Sequence, residues 1–361
     1  NPKAGVLAVG AGLGAACYAF QSLPTGIMER NFRYAPVGLV EIADVLVFNL
    51  TGVILGFFIP PLLALAAALA LRGMIPAILA WFVSGIRVLP EWNGIQFHKA
   101  FQLAYPLVLT EGIVWIIAMA PGLIVVKLAS ANAYGVSQTA MSLLAFTLVL
   151  PTILQRLGVS WFSKIRNHSE EMRGQMETIL RLCLVFYTPL ILFFAALSPI
   201  WVPAVYGPKW PTLPPVLFWA ALPTLVTAIL MPFSSVFISA GKTKVVMLQN
   251  AVHAVLFIAA LLLLSPHWGI YALPLSQLLA HSAGLVYLFS FRRYFGNFIQ
   301  LDALLSGFVF LSCAITTHFL VRKGYHIPAV SVAGLSFLIA FMLNKKNLLL
   351  LQKLLHRLRH G

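Results

Sequence analysis

The sequence of 361 residues is 60% hydrophobic and 9% charged, with a mean hydropathy of +0.93 and a formal net charge of +15. A soluble domain carries about 25% charged residues, so the composition excludes a soluble globular protein and indicates a multi-pass membrane protein. The positive charge would suit nucleic-acid binding, but the Lys and Arg residues lie in short loops between apolar runs. Such placement is a sign of membrane topology, and we expect no nucleic-acid partner.

The apolar runs predict the spans. A membrane-spanning helix needs about 20 apolar residues, and eleven stretches are close to that length or exceed it. They are 4–27, 38–60, 61–84, 101–127, 134–158, 180–204, 213–240, 245–265, 269–291, 303–321 and 327–343. The predicted fold class is an all-α integral membrane protein with about 11 transmembrane helices. The polar stretch 161–177 should contain a short amphipathic helix, and the tail 348–360 places basic residues among leucines, as an interfacial helix does.

Alternate loops differ sharply in Lys and Arg content. One set holds 18 of these residues and the other holds 5, and Arg72 alone lies within a span, which accounts for all 24. Cytoplasmic loops carry the excess of positive charge. We therefore place the C-terminus in the cytoplasm and residue 1 on the outside of a plasma membrane.

Two stretches, 24–51 and 232–253, share a proline, a basic turn and a polar stripe. One constant shift superposes Pro24 on Pro232, Glu41 on Gln249 and Val45 on His253. Spans one to three then match spans seven to nine in the same orientation, and parallel repeats of this kind build many transporters. Chance similarity between two apolar hairpins is the alternative.

The repeat has implications for the domain organisation. Spans four to six lack partners in the sequence, so we expect an intact two-bundle protein of 14 spans, of which this chain, beginning at Asn1, lacks three. The predicted regions are a partial bundle at 1–100, a six-span bundle at 101–300, two further spans at 301–343 and a cytoplasmic amphipathic tail at 344–361.

Charged residues inside spans are candidates for function, because a charge in mid-membrane costs a few kcal/mol. Glu41 and Asp44 lie on one face of the second span and can face a watery cavity, although Glu41 can instead pair with Arg30 or Arg33 near the interface.

Arg72 lies near the middle of the third span, where a guanidinium can bind phosphate through two parallel hydrogen bonds. An ion pair with Asp44 or Glu111 is the alternative. Glu111, in the middle of the fourth span, can be the partner of Arg72 or a carboxylate that carries a proton.

Polar residues also recur on the eighth and ninth spans. Gln249 and His253 share a face of the eighth, and Gln277 and His281 are one turn apart on the ninth. Lone histidines on apolar helices are more often hydrogen-bonded core residues than ligands, so both interpretations stay open. The pattern predicts neither a metal site nor a catalytic residue, and no cofactor is expected.

Five short segments resemble one known family, the polysaccharide-biosynthesis flippases. They are 23–34, with its proline and basic turn; 134–165, with Tyr134, Gly135 and Pro151; 205–210, with Tyr-Gly-Pro-Lys-Trp; 240–242, with Ala-Gly-Lys; and 268–271, with Trp-Gly-Ile-Tyr. Trp161 and the absence of a proline after Phe162 depart from the family pattern. The resemblance gives no catalytic residues.

The resemblance implies membership of the multidrug/oligosaccharidyl-lipid/polysaccharide exporter superfamily, with two six-span bundles around a central cavity. It implies a transporter, not an enzyme, that flips an undecaprenyl-pyrophosphate-linked oligosaccharide across the bacterial inner membrane by alternating access. The expected partners are this anionic lipid-linked oligosaccharide, membrane lipids and a coupling ion, H⁺ or Na⁺. We expect a monomer that cooperates with a glycan polymerase or glycosyltransferases.

Two other classes compete with this interpretation. A multidrug antiporter of the same fold would hold organic cations with Glu41, Asp44 and Glu111. A membrane glycan polymerase or glycosyltransferase usually needs a large or acidic outer loop, and every predicted outer loop here is short.

The charge asymmetry predicts which loops are accessible from the periplasm. In a chain freed of Cys17, Cys183 and Cys313, an impermeant thiol reagent applied outside should label Lys209→Cys and leave Thr243→Cys unlabelled. Protein denatured in sodium dodecyl sulfate provides the control, because both positions should then react. Labelling of both positions in intact cells would disprove the topology.

Overall fold

The structure, a computed structural model, describes residues 2–85, 93–166, 168–183, 187–296, 312–313, 315–321 and 323. These residues form helices joined by turns, which confirms the all-α fold class. The helices are α1 (Pro2–Arg30), α2 (Tyr34–Phe58), α3 (Pro61–Ser84), α4 (Gly94–Leu128), α5 (Ala131–Ala145), α6 (Val149–Lys164), α7 (Ser169–Leu182), α8 (Thr188–Ala196), α9 (Ser198–Tyr206), α10 (Leu213–Ser239), α11 (Thr243–Trp268), α12 (Ala272–Ala280) and α13 (Gly284–Phe295).

The described residues contain six helical stretches long and apolar enough to cross a membrane, or up to eight if each bent pair counts as one span. The two bent pairs are α5 with α6, at 46°, and α8 with α9, at 64°. The sixth stretch, Thr243–Phe295, has 53 residues but folds back at Gly269, because α11 packs against both α12 and α13. The predicted span 327–343 and the tail lie outside the described residues, as does most of 303–321.

The chain forms two compact units, Asn1–Asn93 and Gly94–Gly361, which we call unit 1 and unit 2. The division between them precedes α4, whereas the boundary predicted at residue 100 falls within that helix. The division into four regions as a whole stays a prediction.

In unit 1, α3 packs against both α1 and α2. The α1–α3 contact is a seam of small residues: a Cβ at Gly10 would lie 2.3 Å from the Ala66 carbonyl oxygen, and one at Gly14 would lie 2.3 Å from that of Leu69. A Cβ at Gly73 would lie 2.1 Å from the Gly14 oxygen. Gly10 and Gly14 form a GxxxG pair, the spacing that lets membrane helices approach backbone to backbone.

In unit 2, the predicted amphipathic helix is found as α7. It buries Met172, Met176 and Leu180, one turn apart, in a cluster that includes Phe162 and Phe237. Acidic residues occupy its first turn and Arg181 its last, an arrangement that suits the helix dipole. This packing gives α7 a buried apolar face on unit 2.

The turns that join α1 to α2 and α10 to α11 are alike. Phe32 and Gly241 have positive φ, at 57° and 71°. In each turn the next backbone amide bonds back to a carbonyl of the preceding helix. Arg33 donates to Met28 at 2.9 Å, and Lys242 donates to Phe237 at 2.7 Å. This pattern is a Schellman motif.

The two turns also define the register of the repeat. When Phe32 is aligned with Gly241, the helix ends Arg30 and Ser239 coincide, and so do the helix starts Tyr34 and Thr243. The alignment of Pro24 with Pro232 in the sequence indicated a shift between the two copies that is one residue smaller. The turn geometry corrects that alignment, because it matches backbone conformation and helix bounds together.

The glycine seam generates a prediction about stability. Gly14→Ala should lower the free energy of unfolding by about 1–3 kcal/mol, because its Cβ would overlap the Leu69 carbonyl and force α1 and α3 apart. Gly12→Ala on the same helix is the matched control, since nothing lies within 4 Å of its Cβ position. It should keep stability or raise it by up to about 1 kcal/mol.

The measurement is thermal unfolding of the two purified variants and the parent protein in the same detergent. Equal transition temperatures for Gly12→Ala and Gly14→Ala would contradict the close backbone contact.

Candidate functional site

Unit 2 contains a cavity of about 510 Å³ between α4, α6, α10, α11, α12 and α13. Its walls combine apolar side chains with an unusual number of polar ones for a membrane helix bundle. The polar lining residues are Thr110, Glu111, Gln155, Thr227, Ser234, Gln249, Asn250, His253, Gln277, His281 and Tyr287. Among the described residues that line it, Glu111 is the sole carboxylate, and there is no Lys or Arg.

Two histidines meet at one wall of this cavity. His253 on α11 and His281, in the short 3-10 turn between α12 and α13, have ring centroids 5.0 Å apart in an edge-to-face arrangement. His253 also interacts with the Gln277 side chain and the Ala280 backbone. Both histidines are buried, at 7% and 8% exposure.

The hydrogen bonds of His281 allow it two protonation states. Its Nδ1 donates to the Gln277 carbonyl, and its Nε2 lies 2.8 Å from the Thr227 hydroxyl oxygen. That hydroxyl also lies 3.0 Å from the Pro223 carbonyl. A neutral ring accepts the Thr227 proton at Nε2, whereas a charged ring donates from Nε2 and the Thr227 proton turns to Pro223. His281 can therefore take up a proton without losing a hydrogen bond.

A second network ties α6 to α10 at the cavity. The side-chain amide of Gln155 donates to the Ser234 hydroxyl at 2.6 Å, and the Ser235 hydroxyl donates to the backbone carbonyl of Gln155 at 2.7 Å. Gly158 permits this approach, since a Cβ there would lie 3.2 Å from Ser235. The network holds the amide group of Gln155 at the cavity wall.

Unit 1 contains the intramembrane ion pair. Arg72 Nε and Nη2 donate to the two carboxylate oxygens of Asp44, both at 2.9 Å, and the guanidinium also lies 5.3 Å from the Phe48 ring centroid. Of the two partners that the sequence left open for Arg72, the structure selects Asp44. The Asp44 side chain is 13% exposed and that of Arg72 is 46% exposed, so the Arg72 side chain remains partly accessible.

With the register set by the two turns, the predicted repeat places these two sites at equivalent positions. Asp44 corresponds to His253 and Arg72 to His281. The first pair joins α2 to α3, and the second joins α11 to the turn after α12. Glu41, which is exposed on α2, corresponds to the cavity residue Asn250. Equivalent positions therefore carry charged groups in unit 1 and uncharged or titratable groups in unit 2.

The predicted site residues divide between the two units. Glu111, Gln249, His253, Gln277 and His281 all line the unit 2 cavity, whereas Glu41, Asp44 and Arg72 belong to unit 1. Their convergence on one space shared by both units stays a prediction. Within the described residues, no group of three His, Cys, Asp or Glu side chains could hold a metal ion.

The sequence analysis missed several hydroxyl and amide groups of the cavity. Thr110 and Thr227 bond to carbonyls four residues earlier, those of Pro106 and Pro223. No signal in the sequence marks these threonines, because a helical Thr hydroxyl commonly bonds to the carbonyl four residues earlier. Gln155 was missed as well.

The apolar helices and the polar cavity among them define a multi-pass, all-α membrane protein. Residues 1–215 match the family described as Polysaccharide biosynthesis protein, and the chain belongs to this family. The family resemblance deduced from the five segments is thereby confirmed.

The fold is similar to the solved structure of "Lipid II flippase MurJ, inward closed conformation". The TM-score is 0.59, with 13% sequence identity, over 95% of this chain and 90% of that chain. No curated protein matches the chain. The likeness to the flippase structure establishes the fold.

The ion pair generates a prediction about stability. Arg72→Ala and Asp44→Ala should each destabilise the protein, because each leaves one charge in the membrane without its partner. The double variant should lose less free energy of unfolding than the two single variants lose together. The difference, which is the coupling energy of the pair, should be about 0.5–3 kcal/mol. Thermal unfolding of the four proteins in one detergent measures this coupling, and strict additivity would show that the pair contributes nothing.

Proposed function

We propose that the protein is a membrane transporter that flips an undecaprenyl-pyrophosphate-linked oligosaccharide across the bacterial inner membrane. The observation that carries the proposal is the polar cavity within unit 2. Each polar group inside a membrane bundle is costly unless it is used or paired, and a cavity of about 510 Å³ lies within the range of small-molecule sites. Membership of a polysaccharide biosynthesis family and a flippase-like fold support the same function.

In this mechanism the polar head of the substrate crosses inside the protein while its lipid chain stays in the bilayer. Rocking of two helix bundles would expose the head alternately to each side, as in other transporters built from repeats. Arg72 is the proposed ligand of the pyrophosphate, because its side chain stays partly exposed while Asp44 fixes its orientation. The C-terminus would be cytoplasmic.

Coupling to H⁺ or Na⁺ is part of the proposal. Glu111 lines the cavity and can exchange a cation, and His281 can take up a proton without losing a hydrogen bond. Two charged rings at the 5.0 Å separation of His253 and His281 would repel each other. At most one of the two would therefore carry a proton at a time.

A second candidate is a multidrug antiporter of the same fold. The observation that favours it is the carboxylate of Glu111 in a cavity whose described lining has no Lys or Arg. Such a protein would confer resistance to cationic dyes, and the glycan transporter would restore surface glycan. The two functions can therefore be separated in a strain that lacks both a glycan flippase and a dye exporter. Expression of the protein there should restore either surface glycan or resistance to dyes.

Filling the cavity should abolish transport. Asn250→Trp places an indole in the cavity, and Leu248→Trp places one on the outer face of the same helix, where Leu248 is 52% exposed. Surface glycan in a flippase-null strain that carries the full-length protein should fall to the empty-vector level with Asn250→Trp and stay at the parental level with Leu248→Trp.

The two variants are compared at equal amounts of protein in the membrane. Normal display with Asn250→Trp would exclude the cavity from the transport path. The Arg72→Ala, Asp44→Ala double variant, in which neither charge is left unpaired, tests the pyrophosphate contact in the same assay. Normal display there would leave Arg72 a purely structural residue.

A further inference from the structure

The strongest unexplained feature is the chemical difference between equivalent positions of the repeat. Unit 1 carries Asp44 and Arg72 where unit 2 carries His253 and His281. A diphosphate requires cationic ligands, and the described lining of the unit 2 cavity supplies no Lys or Arg. This cavity is therefore poorly suited to the diphosphate of the proposed substrate.

The same cavity is well suited to hydroxyl groups. Its lining includes the side-chain amides of Gln155, Gln249, Asn250 and Gln277, and each amide offers both donors and an acceptor. A sugar presents hydroxyls that both donate and accept, so adjacent hydroxyls can bond to the two ends of one amide. Glu111 adds an acceptor for a further pair of hydroxyls.

Hydrogen bonds also hold the lining groups in place. Gln155 bonds to Ser234, Asn250 donates to the Val246 carbonyl at 3.0 Å, and His253 interacts with Gln277. Preorganised polar groups lose less conformational entropy when a ligand binds. Apolar lining such as Leu107, Val114 and Leu230 can contact the C–H faces of a sugar ring.

We propose that the unit 2 cavity is a saccharide subsite that binds the uncharged sugars of the substrate through the amides of Gln249, Asn250 and Gln277, separately from the diphosphate ligand Arg72. The inference rests on the proposed function and assigns the uncharged sugars of the substrate to unit 2. The cavity, whose described lining has one carboxylate and no Lys or Arg, would select the sugar.

Protection of a cysteine from alkylation tests the subsite. Met231→Cys lines the cavity without taking part in the amide network, and Phe48→Cys reports on the surroundings of Arg72. Both are made in the full chain with Cys17, Cys183 and Cys313 replaced by alanine. The rate of reaction with a small uncharged maleimide is measured with D-glucose, N-acetyl-D-glucosamine or inorganic pyrophosphate present.

We expect one or both sugars to slow alkylation of Met231→Cys several-fold and pyrophosphate to leave it unchanged. Pyrophosphate should slow alkylation of Phe48→Cys, where the sugars should have no effect. Adding Gln249→Leu and Gln277→Leu should remove the sugar protection of Met231→Cys. The alkylation rate of Met231→Cys without ligand, measured in the same variant, shows whether the cavity stays open.

The subsite would be overturned if pyrophosphate protects Met231→Cys. It would also be overturned if neither sugar, at saturating concentration, slows the alkylation of Met231→Cys. Protection that survives the two leucine substitutions would overturn the role of the amides. Surface display by the parent protein separates this inference from the proposed function. Display without sugar protection refutes the subsite alone, and absence of display refutes the function.

Discussion

The structure depends on one constraint: a polar group inside the bilayer must find its partner within the protein, because lipid supplies none. In unit 1 the constraint produces the two-point pair between Arg72 and Asp44. In unit 2 it produces a chain of contacts from His253 to His281 and on to Thr227. The first joins α2 to α3 and the second joins α11 to the turn after α12, so each fixes the relative register of two neighbouring helical segments.

The equivalence of the two sites suggests how one helical repeat acquired two kinds of chemistry. A shared turn and a common register preserve the backbone, while the side chains at corresponding positions differ. Replacing a charged pair by two histidines keeps an interhelical contact and removes the permanent charges. A protein that handles a substrate with a charged part and an uncharged part can use such a difference without changing its fold.

Much of the helical architecture follows from the sequence, because apolar run length fixes where a membrane helix can lie. The bounds of α2 and α3 fall within four residues of the predicted spans 38–60 and 61–84. The break inside the predicted span 269–291 was missed, since it arises from a 3-10 turn at His281 that the hydrophobic pattern does not reveal. The register of the repeat was wrong by one because prolines aligned it, whereas the turn geometry at Phe32 and Gly241 determines it.

The candidate site was predictable only in part. Residues with strongly polar side chains, such as Glu111 and His253, stand out in an apolar helix, and the structure places both at the cavity. Thr227 and Ser234 do not stand out, since hydroxyls can bond within their own helix and are common in membrane spans. Their importance depends on which neighbour they meet in three dimensions, and the sequence does not contain that information directly.

The glycine seam of unit 1 has a mechanical consequence. At Gly10, Gly14 and Gly73 the backbones of α1 and α3 touch directly, with no side chains between them that could change rotamer. Interlocked backbones cannot slide by small steps, because any displacement short of a helical turn creates overlap or a void. We therefore expect α1 and α3 to move together, so that a displacement of α1 also displaces Arg72 on α3.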